Sequence, residues 1–260
     1  MLNIDREEFT DVALKLALSA GEKIMEIYQT DFDVSTKQDA SPVTEADVAA
    51  EAIILKGLRE AYPTLPIVAE EEAAAGKIPD IGNLFVLVDP LDGTREFLNR
   101  NGAFTVNIGL IENGLPVAGV VHAPALSRTF GGSVGKGAFE ISSDERATIT
   151  VRAANPDHVV AVASRSHRDE KTDAYLESAG VKETVSIGSS LKFCLLAAAE
   201  ADLYPRFGRT MEWDTAAGHA VLAAAGGSVS NEDGTPFMYG KRNQADDVDF
   251  ANPAFIAKGG

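Results

Sequence analysis

Phe9, Val12, Ala13, Leu16, Ala20, Ile24 and Ile27 recur at helical spacing, so the first stretch of the chain reads as one long amphipathic helix over residues 5–28. A second helix is expected from Thr44 to about Ala61, and Pro63 stops it because proline cannot continue the hydrogen-bond ladder. Between about 84 and 140 the pattern shortens to the β-rich runs LFVLV, FTVNIGLI, LPVAGVVHA and TFGGSV, divided by Asn-Gly and Gly-Gly turn signals. That pattern predicts a meandering sheet. From about 155, the short strands VVAVAS, TVSIG, DLYPRF and GSVSN alternate with helices expected at 168–179, 189–200 and 214–225, as in the second half of an α/β protein. No internal repeat, low-complexity tract or Pro/Ser linker interrupts the chain. We read residues 1–260 as a single domain whose halves, about 1–153 and 154–260, pack tightly.

Composition narrows the function. The 260 residues are 45% hydrophobic and 24% charged, ordinary for a globular protein able to bury a full core. A formal net charge of −16 argues against binding nucleic-acid polymers or anionic membranes, both of which need a cationic surface. The start, MLNIDREEF, lacks the basic and apolar regions of a secretory signal, and no apolar run is long enough to cross a bilayer. A cytoplasmic protein with no integral membrane segment is expected, as monomer or homodimer, with peripheral association at the inner membrane left open. Cys194 is the one cysteine, so no internal disulfide forms, and its apolar neighbours mark a buried, inert thiol.

The segment LFVLVDPLDGTREF (84–97) carries the most chemistry. A buried strand delivers Asp89 and Asp92 at its carboxyl end, and Asp92-Gly93-Thr94 opens a helix whose free N–H groups can face a phosphate. Oxygen ligands of this kind suit Mg²⁺. Three further acidic positions stand out: Glu70-Glu71-Glu72, Asp47 and Asp214. Each has a plainer alternative, as a solvated acidic loop, as the partner of Thr44 in a capping box, and as the N-cap of the next helix respectively. All of these positions fall at strand ends or helix starts, where α/β active sites gather. Two divalent cations about 3.5–4 Å apart clamp the oxygens of a phosphoryl transfer, and need several carboxylates from different segments.

AEEE (69–72), VDPLDGT (88–94) and EWDTAAGHA (212–220), with PVTEAD (42–47) upstream, resemble the lithium-sensitive, Mg²⁺-dependent inositol monophosphatase superfamily. The likeness runs from about residue 40 to Pro253. NGAFTVNIGLI (101–111), SRSH (164–167), SIGSSLKFC (186–194) and LYPRFG (203–208) are similar to its bacterial 3′(2′),5′-bisphosphate nucleotidase branch, although Arg95 and Arg209 stand where Lys and Pro are expected. The resemblance implies a layered αβαβα sandwich of the α/β (α+β) class. It assigns one metal to Glu70, Asp89 and the Leu91 carbonyl, and a second to Asp89, Asp92 and Asp214. Glu71 would hold a further metal-bound water. Thr94, paired with Asp47, would orient and deprotonate the attacking water, with the N–H groups of Gly93 and Thr94 on the phosphate.

A bisphosphate also needs cationic donors away from the metals, and the second half supplies Arg165, His167, Lys192, Arg206 and Arg209. The resemblance puts His167, Lys192 and either Ser189 or Ser190 on the nucleotide, with Arg206 on its 5′-phosphate. It implies a Mg²⁺-dependent phosphatase that converts adenosine 3′,5′-bisphosphate to AMP and phosphate. An inositol-1-phosphate phosphatase is the rival enzyme, and a non-catalytic nucleotide or metal sensor the rival of another class. GGSVGKG (131–137) is not a phosphate-binding Walker loop, since Phe130 and Gly137 stand where that motif needs Gly and Ser or Thr. His219 reads as a helix-packing residue, and His122 and His158 carry no motif.

Overall fold

The computed structural model describes residues 4–30, 34–36, 42–164 and 169–260. The Asp5 carboxylate accepts hydrogen bonds from the N–H groups of Glu7 and Glu8 and so starts α1 (Arg6–Tyr28), which buries Phe9, Ala13, Ala17, Ala20, Ile24 and Ile27. A short antiparallel pair, β1 (Val34–Thr36) and β2 (Pro42–Thr44), leads into α2 (Glu45–Ala61). The chain continues through β3 (Ile67–Ala69), α3 (Glu70–Ala74), β4 (Leu84–Asp92), α4 (Thr94–Leu98), β5 (Thr105–Glu112) and β6 (Leu115–Ala123). Three more strands, β7 (Arg128–Ser133), β8 (Gly137–Ser142) and β9 (Glu145–Ile149), complete a sheet in the order β3-β4-β5-β6-β7-β8-β9. Its pairings are antiparallel except β3 with β4.

The second half contributes β10 (Val160–Ser164), α5 (Glu170–Ser178), β11 (Glu183–Ile187), α6 (Leu191–Ala197), β12 (Leu203–Arg206), β13 (Thr210–Met211), α7 (Glu212–Ala224), β14 (Ser228–Asn231), β15 (Ala251–Asn252) and β16 (Phe255–Lys258). Five of these form a sheet in the order β11-β10-β12-β16-β14. Alternate residues of β4 serve different cores: Val86 and Val88 pack with α1 and α2, while Phe85 and Leu87 join α6, α7 and the inner face of the second sheet. Leu176 of α5 packs on the far face of that sheet with Ala161, Leu203 and Ile256. The layers therefore run helix, sheet, helix, sheet, helix, as the family resemblance implies.

The middle layer lies unusually close to the large sheet. A Cβ added at Gly109 would stand 2.9 Å from the Ala217 nitrogen, one at Gly119 2.9 Å from the Ala217 oxygen, and one at Gly132 2.7 Å from the Ala224 Cβ. Glycines on β5, β6 and β7 thus meet alanines on α7, backbone nearly against backbone. This contact fixes where the first turn of α7 sits.

Three features depart from the sequence expectations. The sheet continues past 140 as the β8–β9 hairpin, and GGSVGKG spans the turn from β7 to β8. β16 inserts between β12 and β14, a pairing that its four residues could not signal by themselves. The helix expected over 189–200 ends at Ala197, and Ala199 takes a left-handed backbone.

Gly119→Ala should push α7 off the sheet and cost about 1–3 kcal/mol, the usual range for overpacking. Gly82→Ala, with no atom within 4 Å of its added Cβ, should cost within about 0.5 kcal/mol. Urea unfolding of both variants checks this, and equal losses would remove the close-approach account.

Candidate active site

At the end of β4 the pairing with β5 slips between Asp89 and Asp92, where Pro90 removes a ladder donor. Asp89 is buried and accepts from the Leu91 N–H at 3.0 Å, and Leu91 itself is buried. Gly93, at φ 92°, takes the N-cap position of α4, so Asp92 is not the cap. Its carboxylate instead accepts from the Ser190 N–H at 2.6 Å and from the Asn107 amide at 3.4 Å.

Asp214 is also not an N-cap. The helix begins two residues earlier, at Glu212, and Asp214 reaches back from its third position to accept from the Met211 N–H at 2.8 Å. Glu212, fully buried, accepts from the N–H groups of Gly240 and Lys241 at 2.7 and 2.9 Å and anchors the returning chain.

Asp47 both caps α2 and reaches Thr94. Its Oδ2 accepts from the Thr44 N–H and hydroxyl at 2.8 and 2.6 Å, closing the capping box, while Oδ1 accepts from the Thr94 hydroxyl at 3.3 Å. One carboxylate starts α2 and holds the first residue of α4.

Glu70, Glu71 and Glu72 form the first turn of α3, not a solvated loop. The N–H groups of Glu71 and Glu72 donate to the carboxylate of Glu51 at 2.8 and 2.9 Å. The sequence analysis missed Glu51; its one available signal was its place a turn after Asp47 on α2, on the same helix face. Burial pushes Glu51 up to about 7, against the two N–H bonds that lower it.

Asp89, Asp92 and Asp214 all lie above the usual carboxylate range, first because burial penalises their charge; Glu70 and Asp92 then raise Asp89 and Asp214 further, and Glu96 raises Asp92. Asp92 stands at about 6, held down by the Lys192 ammonium and the Ser190 N–H. Among the described residues, no three His, Cys, Asp or Glu side chains already surround one point at ligating distance. The fit to a divalent cation rests instead on the all-oxygen donors and on a buried cluster of like charge that a cation would relieve.

A cavity of about 750 Å³ adjoins this cluster. Glu70, Asp92, Gly93, Thr94 and Asp214 line it together with Ser189, Lys192, Arg206 and Arg209, and Trp213, Val248 and Phe250 add apolar wall. Lys192 is buried and lowered to about 8, chiefly by burial, while Asp92 counters the shift; its ammonium donates to the Ser189 carbonyl at 2.5 Å. Arg206, also buried, donates to the carbonyls of Gly208 and Arg209 at 2.9 and 3.1 Å. Two buried cations thus face the same space as the carboxylates. Ser189, in a left-handed backbone at φ 53°, lines the cavity, whereas Ser190 turns inward. Glu71 and Leu91 do not line it. Arg209 pairs with Asp247 at 3.2 Å. His167 and Arg165 lie outside the described residues.

The remaining candidates are structural. His219 shares a hydrogen bond of 3.1 Å with the Tyr239 hydroxyl and is lowered to about 3 by burial, His122 pairs with Thr129 at 2.8 Å, and His158 pairs with Glu183 at 3.1 Å. Cys194 is buried, which pushes its thiol up and away from reactivity.

A profile of the Inositol monophosphatase family matches residues 5–252. The 3′(2′),5′-bisphosphate nucleotidase CysQ of Escherichia coli (strain K12) is 47% identical over 94% of this chain and 97% of its own. The enzyme of the same name from Salmonella typhimurium is 48% identical over 93% and 96%. The crystal structure of CysQ from Bacteroides thetaiotaomicron, a bacterial member of that family, superposes with a TM-score of 0.80 at 37% identity, covering 99% of each chain.

Glu51 allows a test that needs no substrate. Its folded pKa of about 7 lies above the ordinary 4.5, so the folded state retains a proton that the unfolded chain has released. Its contribution to stability is greatest below pH 4.5 and is lost as pH rises through 7. Glu51→Gln should remove a slope of at most about 1.4 kcal/mol per pH unit in that window. Urea midpoints at pH 5, 6 and 7 for both proteins measure the difference, and parallel profiles would refute it.

Proposed function

The chain belongs to the inositol monophosphatase family, and from that we propose that it is a 3′(2′),5′-bisphosphate nucleotidase, converting adenosine 3′,5′-bisphosphate and water to AMP and phosphate. The observation that carries the substrate is the pair of buried cations, Lys192 and Arg206, on the cavity that the carboxylates also line. A polyol monophosphate needs no second anion site. An acidic protein that holds a bisphosphate does.

In this reading Glu70, Asp89 and the Leu91 carbonyl hold one Mg²⁺, Asp89, Asp92 and Asp214 a second, and Glu71 acts through water. When bound, Mg²⁺ supplies stabilisation of charge on the attacking and leaving oxygens and acidifies water. Asp47 fixes the Thr94 hydroxyl, which orients the water and passes its proton toward the carboxylate as the water attacks phosphorus. The N–H groups of Gly93 and Thr94 steady the phosphate being transferred. The bond from phosphorus to the 3′ oxygen breaks in line with that attack, and the released alkoxide takes a proton from water. Lys192, Arg206 and Ser189 hold the part of the nucleotide that does not react, with His167 assigned there by resemblance alone. No covalent intermediate is involved.

The two halves act as one unit, because α7 brings Asp214 onto the sheet that ends in Asp89 and Asp92. Among the described residues no helix is long and apolar enough to cross a membrane. The proposal extends to a cytoplasmic enzyme, monomeric or homodimeric.

Phosphate release from adenosine 3′,5′-bisphosphate and inositol-1-phosphate, side by side with Mg²⁺ and with EDTA, decides the reading. The bisphosphate should be the faster substrate and EDTA should abolish turnover. Preference for inositol-1-phosphate would overturn the substrate, and full activity in EDTA the metal.

Charge-assisted hydrogen bonds from Lys192 and Arg206 are worth roughly 1.5–3 kcal/mol each. Lys192→Ala or Arg206→Ala should therefore lower kcat/KM for the bisphosphate by about 10- to 150-fold, at about 1.4 kcal/mol per decade. Hydrolysis of adenosine 3′-phosphate should barely change. Equal losses on both substrates would mean that these residues serve the fold or the metals.

A further inference from the structure

Ser190 occupies the N-cap position of α6, yet its side chain makes no capping hydrogen bond. A serine there ordinarily accepts from the N–H two or three residues on. Instead Ser190, 2% exposed, turns inward and its hydroxyl donates to the main-chain carbonyl of Asp214. Its own N–H donates to Asp92 Oδ2 at 2.6 Å. The side-chain amide of Asn107, fully buried on β5 opposite Asp89, donates to the Ser190 hydroxyl at 3.1 Å and to the same Asp92 oxygen at 3.4 Å. The carbonyl of Asp214 lies inside α7, where the helix supplies its own donors, so the hydroxyl is not needed to satisfy it.

We propose that Asn107 and Ser190 are positioning residues that set the orientation of the Asp92 carboxylate and tie it to Asp214, so that the two acids meet one cation. The inference deepens the proposed metal site and rests on the reading of Asp92 and Asp214 as its ligands. The physical reason is that a half-buried carboxylate repelled by its neighbours swings away from them, into the cavity, unless donors hold it. Asn107 and Ser190 supply neutral donors, which steady the anion without cancelling the charge that attracts a cation. Groups that orient metal ligands in this way typically govern affinity for the metal by about 10- to 100-fold.

The test is a calorimetric titration of metal-free full chain with Mg²⁺, for the wild type, Ser190→Ala, Ser190→Thr, Asn107→Ala and Asp92→Asn, with urea midpoints in EDTA. Ser190→Ala, which keeps the N–H on Asp92 but removes the hydroxyl that joins the Asn107 amide to the Asp214 carbonyl, should raise the Mg²⁺ dissociation constant by about 10- to 100-fold. Its urea midpoint should shift little, and Ser190→Thr, which keeps the hydroxyl, should recover most of the affinity. Asn107→Ala should weaken Mg²⁺ in the same direction, and the Ser190→Ala/Asn107→Ala double variant should be little worse than the weaker single, because the Ser190 hydroxyl acts on Asp92 through the Asn107 amide it holds. Wild-type Mg²⁺ affinity in folded Ser190→Ala overturns the proposal. If Ser190→Ala does not fold, Asn107→Ala decides in the same way. If Asp92→Asn itself binds Mg²⁺ normally, the ligand assignment fails. Weak binding by Asp92→Asn beside normal binding by both other variants sinks only the positioning role.

Discussion

A carboxylate taken out of water without a counter-charge costs several kcal/mol, and this protein places Asp89 where Glu70, Asp92 and Asp214 raise that cost, and Asp214 where Asp92 and Glu70 do. The rest of the architecture answers that repulsion. β4 can bring two acids to one point because its apolar residues are buried on both faces, and its slipped pairing turns the second acid toward the cavity. The third acid arrives on a helix whose alanines rest on the glycines of β5, β6 and β7, an approach too close for the acid to retreat. Neutral donors from Asn107, Ser190 and the Leu91 N–H then hold the carboxylates in place.

Much of this was legible in the sequence because the chemistry lies where patterns break. The run LFVLV stops at Asp89, and a helix period starts beside Asp214, so both acids announce themselves at the ends of elements. Asp47 was legible as a cap from its spacing and as the partner of Thr94 from the resemblance, and the structure gives one oxygen to Thr44 and the other to Thr94. The layered fold followed from the family resemblance more than from periodicity, since neither β16 nor the β8–β9 hairpin has a strong enough alternation to place it.

What sequence could not reveal depended on backbone geometry or on the burial of a polar group. Glu51 looks like any glutamate on an exposed helix face until α3 is seen to begin against it. Asp214 looked like an N-cap, and only the early start of α7 frees it from that duty, while the left-handed Gly93 takes the cap position next to Asp92. Ser189 and Ser190 were interchangeable as letters; the left-handed backbone at Ser189 sends one to the cavity and the other to the carboxylates.

The seating of α7 has a consequence for how the protein comes into being. The carboxylates of the proposed metal site run from Glu70 to Asp214, and the last of them reaches the sheet only when α7 lies on its glycine strip. With Asp214 as the proposed ligand, a chain still emerging from the ribosome carries β4 complete but chemically silent, for as long as that helix remains inside the exit tunnel. The same holds for any fragment cut short before α7. On the proposed ligand set such a product is degraded without having acted on nucleotides, and synthesis passes from inert to competent in one late step.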